Sequence, residues 1–108
     1  LTGFFCGTYV DFNPDPTAAD LHFSYGISDI FLSKFDSSGD FVWARTWGGV
    51  GNDFGYCVDV NGSGNVYVTG YFQDNSVDFN PDPIEEDPHS TNGGYDAFLS
   101  KFKFDGSW

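Results

Sequence analysis

Asp11, Asn13 and Asp15 stand at i, i+2 and i+4 within "VDFNPDP", and Asp78, Asn80 and Asp82 stand in the same heptapeptide at Val77 to Pro83. Oxygen-bearing side chains at alternate positions of a turning loop can aim at one point, as a hard cation such as Ca2+ with about six to eight oxygen ligands requires. Asp20 and Asp87, each following its set, are placed to add a fourth ligand. An EF-hand is excluded, because its loop needs Gly at the sixth position and Glu at the twelfth. This chain has Pro16 and His22 there in one copy and Pro83 and His89 in the other. A second chemistry uses the same residues: Asp and Asn beside Pro form Asx turns, which hydrogen-bond their own backbone and need no metal. Both readings stand open on the sequence. In either, Pro14 and Pro16 stiffen the loop and reduce the entropy lost on binding an ion or a partner.

Other reactive residue types have plainer explanations. His22 and His89 each follow an Asp by two residues, with no second His or Cys close in sequence, so loop packing outweighs a transition-metal site. "GGVGNDFG" (48–55) lacks the Lys and the following helix of a phosphate loop, and Asn52 and Asp53 sit where phosphate would. A connection with Asp53 capping backbone N–H groups is expected, with a cation at Asp53 the lesser reading. No Ser, Cys or Thr stands beside a base in the manner of an activated nucleophile, and the acids fall in loops and turns, so no enzyme is expected. Trp43, Trp47 and Trp108 could stack on sugars, but at strand positions core packing is the stronger reading. Asn61-Gly62-Ser63 is a glycosylation acceptor triplet on a turn. Cys6 and Cys57 leave a disulfide, two thiols and an interchain bridge all open, with a lean towards an oxidising compartment.

The elements that must carry these loops follow from composition and self-similarity. Aromatics make up 20% of 108 residues, and 14 Gly with 5 Pro punctuate them, which favours short strands and tight turns over helix. Four Lys plus Arg against 16 Asp plus Glu give a formal net charge of −12, so nucleic-acid phosphates are repelled and divalent counterions are attracted. No 18-residue apolar run is present to span a membrane. The chain starts at Leu1 inside a strand-like stretch, as expected of a mature fragment or one piece of a longer chain.

Residues 1–41 align without gaps on residues 68–108, at an offset of 67 (78 less 11), with 20 identities in 41 positions. Within one period, "DIFLSKFD" (29–36) and "FVWARTWGG" (41–49) read as a hairpin, as do "GYCVDV" (55–60) and "VYVTGYF" (66–72). A long loop (73–95) then leads to "DAFLSKF" (96–102). Several strands are apolar on both faces, as sheets stacked face to face would be.

"DAFLSKF…DGSW", "DIFLSKFDSSGDFVWARTWGGVGNDFG", "VDVNGSGNVYVTGYF" and "VDFNPDP" together resemble the bacterial SBBP-type β-propeller repeat over essentially the whole chain. The resemblance implies an all-β fold of four-stranded antiparallel blades, found in large secreted or cell-surface proteins with no generally established catalytic activity. On that basis residues 1–28 are expected to hold the last strand of one blade (Thr2 to Tyr9) and a loop, 29–72 a complete four-stranded blade, and 73–108 a loop and the start of the next. Such a chain holds too little to close a ring. It needs copies of itself or further repeats of a longer chain, as a fibre or ring. The functional expectation is therefore an extracellular structural module with Ca2+ as the candidate ligand of the two loops. The alternative is a propeller-type module whose acidic loops bind a glycan or protein ligand.

Overall fold

The alternation of aromatic and β-branched residues between turns folds into ten strands and no helix, described over residues 1–108 by a computed structural model. The strands are β1 (Thr2–Phe5), β2 (Val10–Asp11), β3 (Leu21–His22), β4 (Asp29–Phe35), β5 (Phe41–Trp47), β6 (Phe54–Val60), β7 (Val66–Phe72), β8 (Val77–Asp78), β9 (Pro88–His89) and β10 (Asp96–Phe102). No helix is long and apolar enough to cross a membrane. The five seven-residue strands fall where the sequence pattern puts them. The first strand is shorter than the expected Thr2 to Tyr9: it stops at Phe5, and the chain turns so that Gly7 O accepts the Ser24 N–H at 3.2 Å.

Two hairpins form as expected, β4–β5 and β6–β7, with Gly39 (φ 87°) and Gly64 (φ 80°) supplying the left-handed residue that each tip needs. The way they join differs from expectation. Residues 29–72 do not make one four-stranded blade: β4 and β5 belong to a sheet of order β1-β4-β5, and β6 and β7 to a second of order β10-β7-β6. Nor do the strands of residues 1–28 and 73–108 stand apart from those of 29–72. β1 pairs with β4 from Thr2↔Leu32 to Phe5↔Asp29, and β10 pairs with β7 from Asp96↔Phe72 to Phe102↔Val66.

The physical reason lies in the connections. Each long loop is pinched by its own two-stranded ladder, β2–β3 or β8–β9, and so returns the chain to the neighbouring strand of the same sheet. The short segment after β5 instead crosses between sheets. Gly51 O accepts the Ile27 N–H at 3.0 Å, and Asp53 N–H donates to Ser28 O at 2.9 Å. Consecutive strands usually pair, but this crossing is an exception to that rule.

The core lies between the two sheets. Ile30, Leu32 and Trp47 of the first meet Val66, Val68, Phe72 and Phe102 of the second, joined by Val77 and Phe79 from the loop after β7. The Trp47 ring lies 5.1 Å from that of Phe102 and 6.3 Å from that of Phe98. Gly55 permits the close approach of the sheets, since a Cβ there would stand 2.5 Å from Thr2 Oγ1. Because the sheets are sequence repeats, equivalent residues report what covers each face. Leu32 is 1% exposed and its counterpart Leu99 68%, while Phe102 is 0% exposed and its counterpart Phe35 39%. One face of the first sheet is buried on the second, whose own corresponding face is open.

Candidate functional site: the Asx loops and the carboxylates behind them

From Phe12 to Thr17 every backbone N–H is either bonded or absent. Phe12 N–H donates to Asp20 O at 3.0 Å, Asn13 N–H to Asp11 Oδ1 at 3.0 Å, Asp15 N–H to Asn13 Oδ1 at 3.0 Å and Thr17 N–H to Asp15 Oδ1 at 2.8 Å. The positions between are Pro14 and Pro16, which have no N–H. Asp11 Oδ1 also accepts the Asp20 N–H at 2.9 Å, which ties the two ends of the loop together.

The second copy repeats this ladder. Asp78 Oδ1 accepts from Asn80 N–H (3.0 Å) and Asp87 N–H (2.9 Å), Asn80 Oδ1 from Asp82 N–H (2.9 Å), and Asp82 Oδ1 from Ile84 N–H (2.9 Å). The alternation of Asp or Asn with Pro thus accounts for the main-chain donors from Asn13 to Thr17 and from Asn80 to Ile84. Asp15 also accepts from the Thr17 hydroxyl at 2.7 Å, and the two Thr17 bonds hold its carboxyl below the ordinary range.

The Phe between the first Asp and the Asn plugs each loop onto its sheet. Phe79 packs edge-on against Phe72 and beside Phe98, and its counterpart Phe12 packs in the same way on Phe5 and Phe31. His22 and His89 stand at the loop ends, with their Nε2 atoms 3.2 Å from Asp20 and 2.9 Å from Asp87. His22 Nδ1 meets the Thr46 hydroxyl of β5 at 2.9 Å.

The carboxylates of Asp11, Asp15 and Asp20, and of Asp78, Asp82 and Asp87, do not gather on one point. No group of three or more His, Cys, Asp or Glu side chains is placed to hold a metal ion. Within each ladder the Oδ1 atoms serve the backbone. The Oδ2 atoms of Asp11, Asp15, Asp78 and Asp82 accept no hydrogen bond from the protein.

Behind the loops lie two buried carboxylates whose importance the sequence pattern did not show. Asp53 Oδ2 accepts the Gly49 N–H at 2.7 Å and Oδ1 the Gln73 N–H at 3.2 Å, so it caps the backbone of the crossing as expected. Asp29, at the start of β4, accepts the Tyr25 N–H on Oδ2 at 3.0 Å, while its buried Oδ1 has no partner. Burial chiefly, with the nearby charge of Asp53, pushes its pKa up to about 6 despite the opposing Tyr25 bond. Burial raises Asp53 as well. The available signal was the equivalence of Asp29 and Asp96, since Asp96 caps Asn92 N–H at 2.9 Å in the same way.

The remaining candidates separate. Cys6, just after β1, and Cys57, within β6, are both free and exposed. Asn61 lies exposed at the β6–β7 tip, where its Oδ1 accepts from Ser63 and Asn65 N–H, both at 3.0 Å. Trp47 is core, Trp43 is half-buried against it and Trp108 is exposed. Between the two Asx loops runs an open cleft of about 570 Å³, lined by Asp20, His22, Arg45, Asp82 and Glu85 among others.

No protein-family profile matches the chain, and no solved structure matches it. It is similar to the regulatory protein FlaEY of Caulobacter vibrioides, with 31% identity over 84 residues. Those residues are 78% of this chain but 8% of FlaEY, so the likeness is to a short stretch of a far longer protein.

Proposed function

We propose that the chain is a non-enzymatic structural module of an extracellular or cell-surface repeat assembly. In this reading its sheets are parts of SBBP-type, β-propeller-like blades that stack face to face and continue into a fibre or a ring. The observation that carries this is the pair of unequal environments at equivalent residues: Leu32 is sealed between sheets and Leu99 is bare. A face that the first repeat buries against its neighbour is offered again by the second, and an interface of this head-to-tail kind propagates. A likeness confined to 8% of FlaEY is what a module carried within larger proteins gives. Light scattering and electron microscopy test the proposal. Concentration-dependent growth is expected, and a monomer at all concentrations refutes it.

Calcium bound on the outer side of the two Asx loops is part of the same proposal. Its support is the net charge of −12 and the Oδ2 atoms left over from the ladders. Calorimetric titration of EDTA-stripped protein is expected to show saturable binding with a raised melting temperature. Absence of both leaves the loops as self-capped turns alone. A second reading, a module that binds a glycan or protein, rests on the open cleft between the loops. It predicts that reversing the charge of Glu85, an exposed side chain outside the hydrogen-bond ladder, abolishes ligand capture without lowering the melting temperature.

A further inference from the structure

Each sheet has three strands, but the second lacks the counterpart of β5, which would be its fourth. In the first, β5 lies along β4 from Ile30↔Trp47 to Lys34↔Trp43. In the second, β10 repeats the "FLSKF" of β4 but has β7 on one side and no strand on the other. What the fourth strand does is visible where it is present: Thr46 of β5 meets His22 Nδ1 at 2.9 Å, and Trp47 closes the core. Beside β10, at the place equivalent to that of β5, lies a groove of about 330 Å³ lined by Phe79, His89, Phe98 and Ser100. His89 is the counterpart of His22. Asp87 hydrogen-bonds its Nε2 at 2.9 Å, whereas Asp20 stands 3.2 Å from His22 Nε2 without a hydrogen bond, and His89 Nδ1 has no partner. An open strand edge, an apolar groove beside it and a histidine already oriented together form the imprint of a strand.

We infer that this groove is the docking site for a strand of the β5 type, supplied by a further repeat unit; the inference rests on the assembly proposed above. The strand runs antiparallel to β10 in the β4–β5 register, with its threonine opposite Phe98 and against His89 Nδ1, and its second tryptophan opposite Ala97. Alternating aromatics on one face and a small hydroxyl residue on the other are the chemistry that fits. The β5 of a second copy is a poor donor, because it is already paired with β4 and its Trp47 is in the core.

A fluorescein-labelled peptide with the sequence of residues 39–49, titrated into the full chain and followed by anisotropy, tests this directly, with hydrogen–deuterium exchange locating the contact. Saturable one-to-one binding and slowed exchange over residues 97–102 are expected. Affinity is expected to fall about fivefold in His89→Ala or with a peptide carrying Thr46→Val, the loss that one hydrogen bond accounts for. The His89 side chain is more than half exposed, so that variant retains the fold, which a melting curve verifies. No saturable binding, equal binding of a scrambled peptide, or protection that falls on β1 instead of β10 overturns the inference. Dimers that form without peptide and block its binding assign the groove to a second copy and overturn it too. Failure of peptide binding in a chain that still grows by scattering refutes the docking site alone. Peptide binding by a chain that never assembles refutes the array.

Discussion

Replacing Asp29 by Asn should remove a step from the pH dependence of stability. The side chain is 0% exposed, and its Oδ1 finds no donor, so the charged form is held at a cost. Its pKa rises from 3.8 to about 6 in the folded chain, which therefore takes up a proton more readily than the unfolded one. Stability contributed by this group is absent above about pH 6, grows as the pH falls through the folded pKa, and is complete below 3.8. The whole shift corresponds to about 3 kcal/mol. Between about pH 7.5 and pH 5, linkage gives a gain of about 1.4 kcal/mol. Urea unfolding of wild type and Asp29→Asn at the two pH values measures it. Asp53, also raised, and the self-repulsion of an acidic chain shift stability in the same direction and largely persist in the variant, so the difference between the two proteins reports Asp29 together with its coupling to Asp53. Equal pH dependence in both proteins would show that Asp29 is not held charged against its surroundings.

Two further substitutions probe the loops. Asp78→Ala strips acceptors from Asn80 and Asp87 N–H and should cost about 1–2 kcal/mol in chemical unfolding. Asp78→Asn keeps the acceptor oxygen and should recover most of that while weakening any calcium-induced rise in melting temperature, because the second carboxylate oxygen is gone. Phe79→Ala empties a core position and should cost about 3–5 kcal/mol. The equivalent Phe12→Ala should cost less, because Phe12 is only half-buried; equal losses would show that the sheet stack does not deepen the burial of the second loop.

The local structure was largely legible in the sequence. "DIFLSKF", "FVWARTW", "VYVTGYF" and "DAFLSKF" carry strand residues between Gly-bearing turns, and all four are strands. The partition into sheets was not, because hairpins announce themselves through turn residues, whereas the joining of β1 to β4 and of β7 to β10 depends on long loops closed by the β2–β3 and β8–β9 ladders and by side-chain bonds such as Asp11 to Asp20 N–H. The same residues explain why the loop chemistry stayed ambiguous: Asp-x-Asn-x-Asp presents one spacing to a cation and to its own backbone, and only coordinates show which oxygens the backbone takes. Asp29 was invisible for a different reason. A carboxylate heading a strand looks like a solvated cap until Gly48, where a Cβ would stand 2.5 Å from the Asp29 carboxyl carbon, is seen to lie across it.

Packing the core between successive sheets also imposes an order in time. The first sheet has all its strands once residue 47 has been made, yet the cover over the face bearing Ile30, Leu32 and Trp47 is complete only when Phe102 arrives, 55 residues later (102 less 47). At ordinary rates of translation that interval is roughly 3–11 s. During it the nascent chain carries a finished sheet whose apolar face is incompletely covered, so the ribosome-bound intermediate, more than the finished protein, is the species that would call on a chaperone.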